Sequence, residues 1–133
     1  MKVVGLYREL IVGNNRSLES IRSVINQLSS EQSEIIVRYL KAGIPVFDVM
    51  EASIDPFDSR TRISGGPSLV SDGHWVWRRD LAHFVEKYRI GLPPDFIEHT
   101  NVSRKFDTDT SRLITDKWED ALKSYENAER WVD

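Results

Sequence analysis

Six carboxylates are the residues of this sequence whose type and spacing best fit a chemical role. Positions 48 to 58 hold four of them and no lysine or arginine, and the region from position 107 onward is also acid-rich. Their spacing fits neither an EF-hand calcium loop nor a pair of glycosidase carboxylates. A loop of carboxylates can instead imitate nucleic-acid phosphates and cover a basic active site. The residues predicted to bind a basic protein partner are therefore Asp48, Glu51, Asp55, Asp58, Asp107 and Asp109.

A second group, of aromatic and basic residues, defines an alternative function. Trp75 and Trp77 alternate along the chain and so share one face of a strand, and Arg78 and Arg79 follow them directly. Paired rings can stack on a base or a sugar, and two arginines can clamp a carboxylate or phosphate. This group would serve a small-ligand or regulatory binding domain. We favour a core position for Trp75, and we expect Trp77, which borders the charged run, to be partly exposed.

No catalytic or metal-binding set is recognisable in the sequence. The chain has no cysteine, which excludes disulfides, thiolate metal sites and cysteine nucleophiles. None of His74, His83 and His99 has another histidine three or four residues away, so a metal site is not expected. His74 lies beside Asp72, but adjacent hairpin residues cannot supply the converging geometry of a Ser-His-Asp triad. We predict a protein that is not an enzyme and binds no metal or other cofactor.

Composition favours one soluble domain covering residues 1–133. The chain is 40% hydrophobic and 29% charged, as is usual for globular proteins, and its net charge of −3 argues against nucleic-acid binding as the main task. No stretch approaches the length of a membrane span, and the N-terminus lacks the apolar centre of a signal peptide, so we expect a cytoplasmic protein without membrane contact. A competing interpretation of the acidic residues is that they only maintain solubility.

A central β-hairpin at about residues 68–77 is the element expected to position the aromatic residues. Asp72-Gly73 lies between two β-prone runs, which is the strongest local signal for a two-residue hairpin turn. Such a turn fixes which residues face each other across the two strands. The predicted pairs are Ser71 with His74, Val70 with Trp75, Leu69 with Val76 and Ser68 with Trp77.

Both faces of this hairpin are apolar. One face is predicted to carry Val70, Trp75 and Trp77, and the other Leu69 and Val76. Each face must be covered by other elements, so the hairpin should lie inside the domain. The helix that follows it has one apolar stripe and cannot continue through the glycine and prolines at positions 91–94. Its stripe consists of Leu81, Phe84, Val85 and Tyr88.

Helices are also predicted before the hairpin. Ser17 fits the N-cap of a helix through Leu28, with Leu18, Ile21, Ile25 and Leu28 on one stripe. Ser29 and Gln32 fit a capping box for a helix that ends at Ala42, although one continuous helix through both segments is the alternative. Residues 1–12 fit either a helix or a strand.

The remaining elements are predicted from shorter sequence patterns. Residues 46–50 are predicted to form a third short strand, and residues 55–67 a turn-rich loop. Pro94 and Asp95 can begin a short helix that carries Phe96 and Ile97. A last helix should begin at a capping box formed by Asp116 and Glu119, with an inner face of Trp118, Leu122, Tyr125 and Val132. The predicted fold is therefore α+β, a mostly helical single domain with a central hairpin.

The segment SDGHWVWRRDLAHFVEKYRIGLPPDF, residues 71–96, resembles the signature DG.W.WR.DL..YV..Y...LP..F of a family of small bacterial proteins. In that family a Gly-Gly turn and a YL..G.PV.D segment precede the signature. The resemblance covers about residues 5 to 98. The other matching pieces are Gly65-Gly66, Tyr39-Leu40, Gly43, Pro45-Val46, Asp48 and residues 5–9.

Members of that family resemble immunity proteins of bacterial toxin–immunity pairs, including contact-dependent growth inhibition systems. The resemblance implies a protein that binds its cognate toxin and blocks the toxin's active site. The matched residues look structural, so no catalytic residue is carried over. With the acidic clusters, this predicts an immunity protein directed against a nuclease toxin, with no direct contact to nucleic acid. An enzyme with an unrecognised site ranks third, after the small-ligand alternative.

Overall fold

A four-stranded sheet with helices on both faces forms the centre of the protein, whose computed structural model describes residues 1–11, 18–102 and 118–130. The predicted α+β class is confirmed, with more residues in helices than in strands, and the central hairpin and the third strand are present. The elements in chain order are β1 (Lys2–Val3), 3-10 helices Arg8–Leu10 and Ile21–Val24, α1 (Ser30–Lys41), β2 (Ile44–Phe47), β3 (Ser53–Asp55), β4 (Asp58–Ile63), β5 (Leu69–Ser71), β6 (Trp75–Arg78), α2 (Leu81–Tyr88), α3 (Pro94–Val102) and α4 (Trp118–Arg130).

The strand order of the main sheet is β1-β6-β5-β2. β1 is parallel to β6, with Lys2 opposite Trp75 and Val3 opposite Val76, whereas the β6–β5 and β5–β2 pairs are antiparallel. Residues 1–12 were predicted to form either a helix or a strand, and the structure decides this for residues 1–11. The chain starts as a strand and then enters a short 3-10 helix.

The hairpin of β5 and β6 has the predicted faces but not the predicted register. The pairing has moved by two positions along β6, because Ser71 lies opposite Val76 instead of His74. A shift of two residues keeps every side chain on its original face, since side chains alternate with a period of two. The observed partners are Leu69 with Arg78, Val70 with Trp77 and Ser71 with Val76.

The side chain of Asp72 explains the register. Asp72 stands before the turn, and its amide donates to the Trp75 carbonyl at 3.3 Å. Its Oδ1 accepts the amide hydrogens of His74 and Trp75 at 2.8 and 2.7 Å. Gly73 then occupies the first central turn position with φ +95°, a conformation that glycine adopts without steric penalty.

The two faces of the sheet belong to two apolar clusters. Val70, Trp75 and Trp77 point to one face, where they pack among buried residues of α1, α2 and α3. Leu69 and Val76 point to the other face, where they pack against α4. The prediction that both faces of the hairpin need cover is confirmed.

The capping box at the start of α1 is confirmed. The Ser29 hydroxyl accepts the Gln32 amide, the Gln32 side chain accepts the Ser29 amide, and the helix ends with Ala42 as its C-cap. The predicted helix through Leu28 is wrong, because only Ile21–Val24 is helical there, and a continuous helix into α1 is excluded. Ser17 lies outside the described residues.

Tertiary hydrogen bonds explain why residues 25–28 are not helical. The Asn26 amide donates to the Tyr88 carbonyl at 2.9 Å. The amides of Gln27 and Leu28 both donate to the Arg89 carbonyl, at 3.0 and 3.1 Å. The end of α2 therefore takes the backbone partners that a helix would have used internally.

The helices after the hairpin follow their predicted stripes with small differences at the ends. α2 buries Leu81, Phe84 and Val85 and ends through Arg89, which has φ +47°, before Gly91 is reached. α3 begins at Pro94 and carries Phe96 and Ile97, as predicted, and it buries Phe96. In α4 Tyr125 is buried with Ala121, but Trp118 is 43% exposed, so its predicted inner position is wrong. Asp116 and Val132 lie outside the described residues.

A second hairpin replaces the predicted loop at residues 55–67. β3 and β4 pair antiparallel in a separate two-stranded sheet, with Ser53 opposite Ile63 and Ile54 opposite Arg62. The third strand of the main sheet is Ile44–Phe47, so the predicted extension to Met50 is wrong. The sequence gives a weak strand signal for β4 because it is dominated by polar residues and lacks apolar alternation.

Candidate partner-binding surface

Three large apolar side chains are exposed within residues 47–54, a segment that we call the 47–54 strip. Phe47, Met50 and Ile54 are 45%, 98% and 50% exposed. Asp48 and Glu51 are exposed carboxylates of the same segment. Exposed apolar side chains bordered by charged residues are typical of protein–protein contact surfaces. The strip is therefore the candidate site for a protein partner.

Hydrogen bonds anchor the strip at two points, one through the backbone of Val49 and one through the side chain of Ser53. The Ser68 hydroxyl accepts the Val49 amide at 2.9 Å and donates to the Val49 carbonyl at 3.2 Å. The Ser53 hydroxyl donates to Asp80 Oδ2 at 2.9 Å. A segment fixed in this way loses less conformational entropy when it binds a partner.

A buried ion pair supports the second of these points. Arg78 donates from Nε and Nη2 to the two carboxylate oxygens of Asp80, at 3.2 and 2.7 Å, and its Nη1 donates to the Leu10 carbonyl at 2.5 Å. Burial alone would lower the pKa of Arg78, but the charges and hydrogen bonds of Asp80 and Tyr125 together outweigh burial and raise that pKa. Removing either partner would leave an uncompensated buried charge, so this pair is structural.

The residues of the alternative ligand site do not form an accessible site. Trp75 and Trp77 are 6% and 1% exposed and Arg78 is 5% exposed, so all three lie in the interior. The predicted core position of Trp75 is confirmed, and the partial exposure predicted for Trp77 is wrong, since its ring lies 6.0 Å from that of Phe96. Arg79 alone is exposed, and its Nη2 is 3.3 Å from Asp48 Oδ1.

Asp55 is not on an exposed loop, so its predicted role as a contact residue is wrong. Its Oδ2 accepts the Tyr88 hydroxyl at 2.7 Å and lies 2.9 Å from His83 Nε2, and its Oδ1 accepts the Phe57 amide at 2.8 Å. The residue is 1% exposed. Burial would raise the pKa of Asp55, but the hydrogen bonds from His83, Tyr88 and Phe57 outweigh it and lower that pKa. Asp55 thus joins the β3–β4 hairpin to α2.

The other carboxylates predicted to bind a partner differ in their exposure. Asp48 and Glu51 project from the strip, as expected of contact residues. Asp58 is half-buried at the start of β4, where the Thr61 hydroxyl and the Arg60 amide lower its pKa by hydrogen bonding. Asp107 and Asp109 lie outside the described residues.

Sequence reasoning missed the apolar part of the strip and two carboxylate–histidine pairs. The exposure of Phe47 could have been predicted from strand alternation, because Phe47 follows the half-buried Val46 in β2. The pairs join Asp55 with His83 and Asp72 with His99, residues 28 and 27 positions apart. No local pattern in the sequence connects residues at such separations.

Two general properties of the described residues bear on function. In residues 1–11, 18–102 and 118–130, no three His, Cys, Asp or Glu side chains are grouped so that they could hold a metal ion. Within the same ranges, no helix has the length and apolar character needed to cross a membrane. Comparison with protein-family models, with curated proteins and with solved structures finds no match.

Proposed function

We propose that this protein is an immunity protein that binds a cognate bacterial toxin domain, of the nuclease class, through the 47–54 strip. The observation that carries the proposal is the exposure of Phe47, Met50 and Ile54 beside the two exposed carboxylates of Asp48 and Glu51 on an anchored segment. The resemblance of residues 5–98 to the family with immunity-like members supports the same function. The protein would meet its toxin in the cytoplasm and act by covering the toxin's active site.

The charge of the strip indicates the chemistry of its partner. A nuclease must present lysine or arginine near its catalytic centre, because its substrate is a polyanion. Asp48 and Glu51 can take the place of substrate phosphates in front of such a centre. The contact of Asp48 with Arg79 is between exposed side chains, 72% and 44% accessible, so an incoming cation can replace it at little cost.

The apolar residues of the strip are the expected source of most of the binding energy. A few large side chains near the centre of an interface usually dominate its affinity, and exposed charges at the rim mainly affect the association rate. A stable interface buries about 800 Å² on each partner, which is more than a short segment provides. The contact must therefore extend over the β3–β4 hairpin, which carries Ile54.

Protection of cells against the toxic domain tests the proposal. We expect the neighbouring upstream gene to encode a large secreted protein with a C-terminal toxin domain. The protein is expressed together with that domain, and survival is counted. We expect protection by the wild type, and reduced protection by the double variant Asp48→Asn, Glu51→Gln. The matched control is Glu31→Gln, Glu34→Gln, which removes the same charge from exposed positions of α1. Absence of protection by the wild type, or equal protection by both double variants, would contradict the proposal.

A further inference from the structure

A cleft of about 650 Å³ opens at the end of the main sheet where β1 and β6 begin. It is lined by Met1, Lys2, His74, Trp75 and His99. It shares no residue with the 47–54 strip, so an inference about it does not depend on the proposed function. The cleft brings two of the three histidines of the chain together with a lysine.

Asp72 fixes the orientation of His99 in this cleft. The Asp72 side chain is 1% exposed, and its Oδ2 lies 2.7 Å from His99 Nε2 and accepts the Tyr39 hydroxyl at 2.5 Å. A carboxylate in this setting acts as an acceptor, so Nε2 carries the hydrogen and Nδ1 is left for another group. A buried carboxylate behind a histidine fixes the tautomer and the orientation of the imidazole ring, as it does for histidines that bind metals.

His74 and Lys2 complete the set of polar groups in the cleft. The ring centroids of His74 and His99 are 5.5 Å apart. The Lys2 ammonium lies 5.1 Å from the centroid of the Trp75 ring, which holds it at the cleft. Lys2 also contacts Asp95 at 3.5 Å, but both side chains are more than half exposed, so this ion pair is weak and open to competition.

We infer that this cleft binds a tetrahedral oxyanion of the phosphate class. Lys2 supplies an ammonium donor, His74 supplies a ring N–H, and His99, whose Nε2–H is bonded to Asp72, supplies an Nδ1–H in its protonated form. Three donor groups suit an anion with more than two acceptor oxygens better than they suit a carboxylate. The ammonium of Lys2 disfavours a metal cation in the same space. The buried Asp72 carboxylate already accepts from four donors and is not among the residues that line the cleft.

Titration with inorganic phosphate, followed by NMR of the histidine ring signals, tests the inference. The chain contains three histidines, and His83 is bonded to Asp55 outside the cleft, so it serves as an internal reference. At constant pH and ionic strength, the ring signals of His74 and His99 should shift to saturation while those of His83 stay unchanged. Lys2→Gln should weaken phosphate binding about tenfold, and the exposed control Lys41→Gln should leave it unchanged.

Three results would overturn the inference. One is an equal shift of the ring signals of all three histidines on addition of phosphate, or a shift of these signals that does not saturate. Another is phosphate affinity in Lys2→Gln equal to that of the wild type, as verified on folded protein by circular dichroism. The third is a response of His74 and His99 to zinc ions but not to phosphate, which would make the cleft a cation site.

Discussion

Replacing Asp55 by alanine tests whether this carboxylate holds the β3–β4 hairpin on α2. The substitution removes the acceptor of the Phe57 amide, the Tyr88 hydroxyl and His83. A hydrogen bond to a charged group contributes about 1.5–3 kcal/mol, and a buried donor left without a partner loses a similar amount. Water can replace the acceptor for the partly exposed Tyr88 and His83, so we expect a total loss of about 3 kcal/mol rather than the full sum of three bonds.

The assay is urea unfolding followed by tryptophan fluorescence, with Asp48→Ala as the control. Asp48 is exposed, and its replacement should change the free energy of unfolding by less than about 0.5 kcal/mol. A loss below about 1 kcal/mol for Asp55→Ala would refute the reasoning, because it would mean that the buried contacts of Asp55 contribute little to folding.

The pH dependence of stability gives a second check on Asp55. Its pKa is lowered in the folded protein, so the folded state holds the ionised carboxylate more strongly than the unfolded chain does. This contribution is complete above the unfolded pKa, about 3.9, and is lost as the pH falls through the lower folded pKa. The difference in unfolding free energy between wild type and Asp55→Ala should therefore shrink on acidification within this range. A difference that stays constant, or grows, would contradict the assignment.

Three further substitutions test the packing, the turn and the helix cap. Trp77→Ala should reduce the free energy of urea unfolding by about 3–5 kcal/mol, because the ring is fully enclosed; a loss below about 1 kcal/mol would place Trp77 outside the core. Gly73→Val should lower the melting temperature measured by circular dichroism, since valine resists φ +95°; an unchanged melting temperature would contradict this turn geometry. Ser29→Ala should cost about 1 kcal/mol in urea unfolding by removing the N-cap of α1, whereas Ser30→Ala, which removes no cap, should have little effect.

The elements predicted correctly depend on contacts between residues close in sequence. The capping box of Ser29 and Gln32 is a contact over three residues, and it marks the start of α1 correctly. The stripe of α2 is a helical repeat, and the faces of the β5–β6 hairpin follow from strand alternation. Such signals survive in the fold because tertiary packing reinforces them.

The wrong predictions share a different cause, which is a partner from elsewhere in the chain. Residues 25–28 leave the helix because the end of α2 accepts their amide hydrogens. The register of the hairpin moves because Asp72 caps the turn while it also binds Tyr39 and His99. In both segments the local pattern permitted the predicted structure, and distant groups selected another.

In the candidate site, too, local features were predictable and features that depend on distant residues were not. The sequence identifies the carboxylates between positions 48 and 58, but it cannot separate exposed Asp48 from buried Asp55. The burial of Asp55 depends on Tyr88 and His83, which lie on α2 and contact Asp55 only in the folded protein. The same holds for Arg78, whose burial depends on Asp80 and on the Leu10 carbonyl.

The affinity of two isoleucine variants for the toxin domain tests the central claim most directly. Ile54 of the strip and Ile35 of α1 are 50% and 49% exposed, so they differ in location and not in accessibility. Ile54→Arg should weaken binding measured by calorimetry about 30-fold, which corresponds to ~2 kcal/mol, and Ile35→Arg should bind as the wild type does. If Ile54→Arg binds as tightly as the wild type, or if Ile35→Arg loses the same affinity, the 47–54 strip is not the toxin-binding surface.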